Sequence, residues 1–216
     1  MDGGDAEKAD LLEYHARLPL SGRFRSLGDV KYWAVAGSGG TGELWVRHRD
    51  VTVIQKRTAF PDFVKDDTRW LDISVVTGTL VAYQGKQATF ATLLSVAREL
   101  PASETMPAAD GPRPIPLGTF SVRQKHLTFT GKQALGFGEP YELLDVPWTL
   151  ELSSGQLLHG AYWHDRFGIE HGSGNLALSP ADAARVFQLA LPELPSGWHA
   201  IATRANDAVT PVVIRK

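Results

Sequence analysis

The sequence predicts a mainly β fold with few helices. Glycine and proline are frequent, with 21 and 13 copies in 216 residues, and such a composition favours strands joined by turns. Short β-prone runs recur along the chain, separated by turn signals such as Thr77-Gly78 and Gln84-Gly85-Lys86. Only one segment, beginning at Ser179, has a full set of helix signals.

The first 60 residues are interpreted as a small N-terminal β-rich module. A helical pattern is predicted over Ala6–Leu18, and a glycine-rich turn follows between two strand-like runs that begin at Tyr32 and Glu43. Alternating apolar residues extend the second run to Val53, so the two runs predict a half-buried hairpin. Residues 57–67, with Pro61 and several charges, are interpreted as a linker.

Residues 61–216 are interpreted as the main domain. Three β-prone runs over 70–96 predict a meander, and a proline-rich loop follows at 101–116. Strands are predicted over Gly118–Thr130 and Tyr141–Leu152, with Pro147 indicating an edge or a bulge, and the tail after Trp198 returns to strands.

The predicted helix begins with Ser179 as the N-cap. Pro180 suits the first helical position, and Asp182 completes a capping-box arrangement. The inward face has helical spacing and comprises Ala183, Val186, Phe187 and Ala190. Pro192 ends the helix.

Composition excludes several classes of function. The net charge is −2 with no long basic block, which argues against nucleic-acid binding. No apolar run is long enough to span a bilayer, and no signal peptide is visible after Met1. The chain has no cysteine, which excludes disulfides, thiolate metal sites and a thiol nucleophile.

Titratable residues are concentrated between residues 159 and 175. His159, His164 and His171 lie close together in the sequence, beside Asp165, Glu170 and Ser173. Glycines 160, 168, 172 and 174 let the backbone turn tightly and approach a ligand. This density predicts a binding or catalytic loop. The histidine spacing matches no zinc motif, so neither a metal nor a cofactor is predicted.

The run LLHGAYWHDRFG (157–168), with SPADAARVF (179–187) and LPELPSGWH (191–199), resembles the L,D-transpeptidase catalytic domain of the YkuD type. Similarity extends upstream through 70–95, PLGTFSVRQKH (116–126) and DVPW (145–148), so it covers about 70–213 in consistent order. The resemblance implies a curved β-sandwich with a catalytic loop. It also implies an extracytoplasmic protein of the cell envelope that acts on peptidoglycan stem peptides through an acyl-cysteine intermediate.

The resemblance leaves two registers open for the catalytic run. Without gaps, the family's catalytic His, Gly and Cys fall on Ser173, Gly174 and Asn175. A shift by two residues places them instead on His171, Gly172 and Ser173. Asn175 has no nucleophilic group, whereas Ser173 beside His171 forms a candidate serine–histidine pair. A Cys-to-Ser replacement would explain Ser173, but not Glu170 or Gly174.

Substrate contacts are predicted for His159, Gly160, Tyr162, Trp163 and Gly174. His159-Gly160 matches the family's upstream His-Gly pair, and the two aromatic residues suit a stacking wall. Structural interpretations remain open, because a histidine can be a satisfied core residue and aromatic side chains at this spacing often pack in a core. For His164, between Trp163 and Asp165, a structural role is favoured.

Three functions are therefore considered. The favoured one is a catalytically inactive relative that binds peptidoglycan stem peptides. The second is an active transpeptidase or amide hydrolase that uses Ser173 with His171. The third is an interaction module for a protein partner on the same scaffold, because the fold alone does not select a function.

Overall fold

The computed structural model describes residues 12–13, 15–37, 43–54, 57–96, 115–133, 141–169 and 174–216. Contacts divide the chain into two compact units, Met1–Gln55 and Lys56–Lys216. Residues 56–60, which the sequence analysis placed in the N-terminal module, fall in the second unit. Phe60 accounts for this boundary, because its ring packs edge-on against those of Trp70 and Tyr83.

The first unit contains a three-stranded antiparallel sheet in the order β1-β2-β3, formed by Leu20–Leu27, Val30–Val35 and Trp45–Arg47. The predicted hairpin corresponds to β2 and β3, whose turn at 38–42 lies outside the described residues. The second run ends earlier than predicted, because a 3-10 helix begins at His48. The helix predicted to reach Leu18 is wrong over residues 15–18, where His15 has φ +69°.

The second unit is mainly β, as predicted, with a single α-helix among its described residues. The predicted meander is β4 (Arg69–Ser74), β5 (Thr79–Gln84) and β6 (Gln87–Leu93). Four strands follow in the chain, namely β7 (Ser95–Val96), β8 (Gly118–Gln133), β9 (Tyr141–Leu152) and β10 (Leu157–Gly160). The remaining elements are β11 (Leu176–Leu178), α1 (Pro180–Leu189), β12 (Ala200–Ala202) and β13 (Pro211–Arg215).

Strand β8 connects two halves of the sheet. Its first residues pair with β13, in a group ordered β6-β5-β4-β13, and the rest pairs with β9, in a group ordered β9-β10-β11-β7. Strand β12 pairs with the middle of β8. Pairing is parallel for β4 with β13 and for β10 with β11. The predicted sandwich-type β architecture is confirmed.

The main core lies between the sheet and α1. Apolar residues of both halves of the sheet and of the inward face of the helix belong to one cluster, which includes Leu71, Leu80, Leu150, Leu158, Leu176, Ala183, Val186 and Phe187. The helix starts as predicted, because the Ser179 hydroxyl accepts a hydrogen bond from the Asp182 backbone N–H at 3.2 Å. The four predicted inward residues are all buried.

A second cluster packs on β4 and β5. The Trp70 and Tyr83 rings stack at 4.4 Å, and Phe60 and Phe63 pack edge-on against Trp70. Residues 57–67 are therefore more than the predicted linker, since Phe60, Phe63 and Val64 supply apolar contacts to this cluster.

Candidate functional site

The candidate site lies where β10 and β11 run side by side. His159 pairs with Ala177 and Gly160 with Leu178, and all four residues of β10 are buried. Residues 161–169, which leave the end of β10, are called the site loop below. Because β10 and β11 are parallel, the chain that leaves the end of β10 must return to the level at which β10 begins before β11 starts.

Backbone contacts fix the site loop at both ends. Ala161 N donates to Leu178 O at 2.8 Å, and Gly168 N donates to Leu94 O at 3.0 Å. Gly78, in the turn between β4 and β5, approaches Gly168 so closely that an added Cβ would lie 2.9 Å from its backbone. The loop is therefore positioned by three separate strands or turns.

Two aromatic rings of the site loop face solvent. Tyr162 is 60% exposed and Trp163 is 48% exposed, and their ring centroids lie 5.0 Å apart at 85°. The Tyr162 hydroxyl donates to Leu144 O of β9 at 3.1 Å, which anchors the ring pair to the sheet. A fixed, exposed aromatic surface next to buried polar groups is suited to ligand binding.

His159 lies in a buried position next to this surface. It is 3% exposed, and its ring centroid lies 5.6 Å from that of Trp163. Burial lowers the pKa of His159 to about 4, and the Gly160 backbone opposes the shift. The imidazole is therefore neutral at physiological pH, and its Nδ1 has no hydrogen-bond partner within the described part of the chain.

We expect this buried imidazole to make stability depend on pH. The unfolded chain binds a proton at an ordinary pKa of 6.5, whereas folded His159 binds it only near pH 4, so stability is full above pH 6.5 and falls as the pH drops toward 4. Urea unfolding at pH 7.5 and 4.5 should show His159→Gln losing roughly 2–3 kcal/mol less than the wild type over this range. Equal losses in both proteins would contradict the assignment.

His164 and Ser95 lie near the same loop but do not form a nucleophile–base pair. The separation of Ser95 Oγ from His164 Nε2 is 3.5 Å, and His164 Nδ1 accepts a hydrogen bond from Arg166 N at 3.2 Å. A neutral ring that accepts at Nδ1 has its proton on Nε2, so the nitrogen facing Ser95 has no lone pair to take a hydroxyl proton. This geometry supports the structural role favoured for His164.

Gly160 has a packing reason to be glycine. An added Cβ would lie 3.1 Å from Pro180 Cα and 3.2 Å from Pro147 O, so a side chain here would separate β10 from the start of α1. Gly174 has φ +95°, a conformation that favours glycine over other residues. Substrate contact at either residue stays a prediction.

Asn175, which occupies the nucleophile position in the ungapped register, is buried. Its Oδ1 accepts a hydrogen bond from Leu157 N at 3.0 Å, at the start of β10. The side-chain amide therefore satisfies a backbone donor that would otherwise be buried without a partner. His171, Ser173 and Glu170 lie outside the described residues, so the proposed serine–histidine pair stays a prediction.

Sequence reasoning missed the buried Lys125. Its ammonium donates to Phe187 O at 2.7 Å and Ala190 O at 2.6 Å, the carbonyls at the end of α1. Burial lowers the pKa of Lys125 to about 8, with Glu193 opposing the shift. The register of β8 shifts between Val122 and Gln124, and this bulge changes the strand's alternation so that Lys125 turns inward.

The described residues contain no group of three or more His, Asp or Glu side chains that could hold a metal ion. Within the same residues, the structure has no helix long and apolar enough to cross a membrane.

Neither models of known protein families nor curated protein sequences match this chain. Several solved structures do match it, at low sequence identity. The Ldtfm–avibactam carbamoyl enzyme is 18% identical, with a TM-score of 0.50, over 71% of this chain and 50% of that chain. The catalytic domain of Enterococcus faecium L,D-transpeptidase is 17% identical over 68% of this chain and 97% of that one, with a TM-score of 0.49.

L,D-transpeptidase 3 from Mycobacterium tuberculosis, in complex with a faropenem-derived adduct, is 17% identical over 69% of this chain and 60% of that chain, with a TM-score of 0.48. At such identities a structural match bears on the fold and not on activity. The chain therefore has the mainly β fold of L,D-transpeptidase catalytic domains.

Proposed function

We propose that this chain is a catalytically inactive, extracytoplasmic protein of the cell envelope that binds peptidoglycan stem peptides on an L,D-transpeptidase fold. The observation that supports the loss of activity is the identity of residue 175, which is an asparagine. The chain has no cysteine, and in the ungapped register the residue at the nucleophile position is an amide. Acyl transfer needs a nucleophile with an activating base, and a carboxamide does not supply one.

The binding part of the proposal rests on the aromatic surface of the site loop at the end of β10. Tyr162 and Trp163 offer exposed ring faces for aliphatic side chains. Tyr162 is held by its hydrogen bond to Leu144 of β9, and Trp163 lies against the His159 ring of β10. Neutral His159 lies next to Trp163 and supplies no fixed charge that would repel a ligand cation. A peptide of mixed polarity fits such a surface, since recognition sites combine apolar walls with a few polar groups.

The test is titration of the full chain with a disaccharide-tetrapeptide muropeptide in a calorimeter. We expect measurable affinity, and we expect Trp163→Ala to weaken it by about tenfold, the loss of about 1.4 kcal/mol typical of one aromatic contact. Trp198→Ala is the matched control, because Trp198 is 54% exposed but lies outside the site loop. No affinity, or equal effects of both variants, would overturn the binding site.

Mass spectrometry of the same mixtures tests the loss of catalysis. The muropeptide mass should stay unchanged during prolonged incubation with the protein. A cleaved or cross-linked product that disappears in Ser173→Ala would instead establish the serine enzyme. Binding that is absent for every muropeptide would favour the protein-partner interpretation, for which the exposed Leu144, next to the site loop, and Ile169, at its end, are suitable contacts.

A further inference from the structure

The three-stranded sheet of the first unit buries little of its own surface. Seven of the eight residues of β1 are exposed, and Ala34 is the one apolar residue of Leu20–Asp50 that is buried, among those described. Such a small sheet normally keeps its large aromatic side chains covered. Here Phe24 is exposed and Tyr32, Trp33 and Trp45 are only partly buried, which indicates an interaction surface.

The strand register gathers an aromatic and cationic group on one face of this sheet. Phe24 of β1 lies opposite Trp33 of β2, with ring centroids 5.6 Å apart. Lys31 lies two residues before Trp33 and therefore on the same face, with Nζ 4.2 Å from the Phe24 ring centroid and 4.5 Å from that of Trp33. We call Phe24, Lys31 and Trp33 the cationic aromatic face.

The Lys31 ammonium has capacity left for an anion. Two ring faces hold it by cation–π contact, and the described residues give it no carboxylate partner. Trp33 is fixed in turn, because its indole N–H donates to His48 Nδ1 at 2.9 Å. Phe24 is 60% exposed, so much of its ring remains open. The charge and the apolar ring surface are therefore presented together.

Charge across the chain points to the sign of the ligand. Residues 20–50 contain five basic and three acidic residues, a net charge of +2, whereas the whole chain has −2. The rest of the sequence thus has −4, of which −3 lies in residues 1–19, so the first unit as a whole has a net charge of −1 and its positive charge is confined to residues 20–50. Two carboxylates of this segment are in ion pairs, Glu43 with Arg23 and Asp50 with Arg47. The local excess of cations attracts an anionic ligand to the sheet.

We propose that the cationic aromatic face binds an acidic saccharide. The apolar C–H face of a sugar ring packs on the open Phe24 ring, and a sugar carboxylate accepts a hydrogen bond from the Lys31 ammonium. An acidic saccharide carries its apolar ring face and its carboxylate a few ångströms apart, which matches the separation of the Phe24 ring and the Lys31 ammonium. This binding site is independent of the stem-peptide site on the second unit.

The experiment titrates the full chain with hexagalacturonate at low and at physiological salt. We expect binding that weakens as salt rises, and an affinity about tenfold lower for Phe24→Ala and for Lys31→Met. Lys31→Arg should retain binding because the charge stays. Leu27→Ala is the matched control, since Leu27 is 50% exposed and alternates to the opposite face of β1.

Three outcomes would overturn the proposal. The first is no binding of hexagalacturonate at low salt. The second is equal affinity for neutral maltohexaose, which would leave the ammonium without a role. The third is equal affinity for hexaglutamate together with an unaffected Phe24→Ala variant, which would reduce the effect to charge alone. Circular dichroism of each variant checks that the sheet remains folded. A failure here leaves the muropeptide titration and its Trp163→Ala result untouched.

Discussion

Replacing Asp72 by asparagine should lower the free energy of unfolding by about 3 kcal/mol, because a buried ion pair that loses one partner leaves charges without compensation. Asp72 is buried in β4, and its carboxylate accepts from Arg57 Nη1 at 2.7 Å, Arg215 Nε at 3.0 Å and Arg215 Nη2 at 3.1 Å. These contacts connect the segment before β4 and the last strand, β13, to the middle of the sheet. The expected loss is at the low end of the range for broken buried ion pairs. Both guanidinium groups are partly exposed, so water hydrates them once the carboxylate charge is removed.

Urea unfolding followed by tryptophan fluorescence at pH 7 measures this effect. Asp62→Asn serves as the control, because Asp62 is exposed and should change stability by no more than about 0.5 kcal/mol. A loss below about 1 kcal/mol for Asp72→Asn would mean that the two arginines do not depend on this carboxylate.

Gly78→Ala should be nearly as costly, at about 3 kcal/mol, and should also weaken muropeptide binding. Gly78 has φ +60°, which costs about 1 kcal/mol for a residue with a Cβ, and the new methyl would lie 2.9 Å from the Gly168 backbone. Relief of that contact requires the site loop to move. Because Trp163 and Tyr162 belong to this loop, their binding surface would move with it.

Gly155→Ala separates the two contributions. Gly155 also has a positive φ, +88°, but an added Cβ meets no atom within 4 Å, so this variant measures backbone strain alone. We expect it to lose about 1 kcal/mol and to bind muropeptide normally. If Gly78→Ala proved no more costly than Gly155→Ala, the close contact between the turn and the site loop would have no energetic role.

Local signals predicted much of this fold. The Ser179 cap and the inward positions of α1 depend on residues only a few positions apart, so a sequence pattern contains all the information needed. The meander is local in the same sense, because the turns after β4 and β5 contain the glycines that the sequence analysis used as turn signals. In these elements, tertiary contacts left the locally favoured secondary structure unchanged.

The site depends on contacts between distant parts of the chain. The inward turn of Lys125 follows from one bulge in β8, which a strict alternation of polar and apolar residues does not reveal. His159 lies within a buried apolar strand, yet its lowered pKa depends on packing around β10 as a whole. The role of Asn175 required the pairing of β10 with β11, which places Leu157 N within reach of its side chain.

The hydrogen bond from Leu157 to Asn175 also bears on any attempt to engineer a thiol at this position. Asn175→Cys would exchange a strong acceptor for a weak one and leave the buried Leu157 N–H poorly satisfied, at a cost of about 1–3 kcal/mol. Loss of the Asn175 side-chain N–H group, which has no hydrogen-bond partner among the described residues, offsets part of this cost. The remainder is still a sizeable share of the 5–15 kcal/mol or so by which folded domains are stable. An engineered nucleophile here would therefore need a second substitution that supplies β10 with another acceptor.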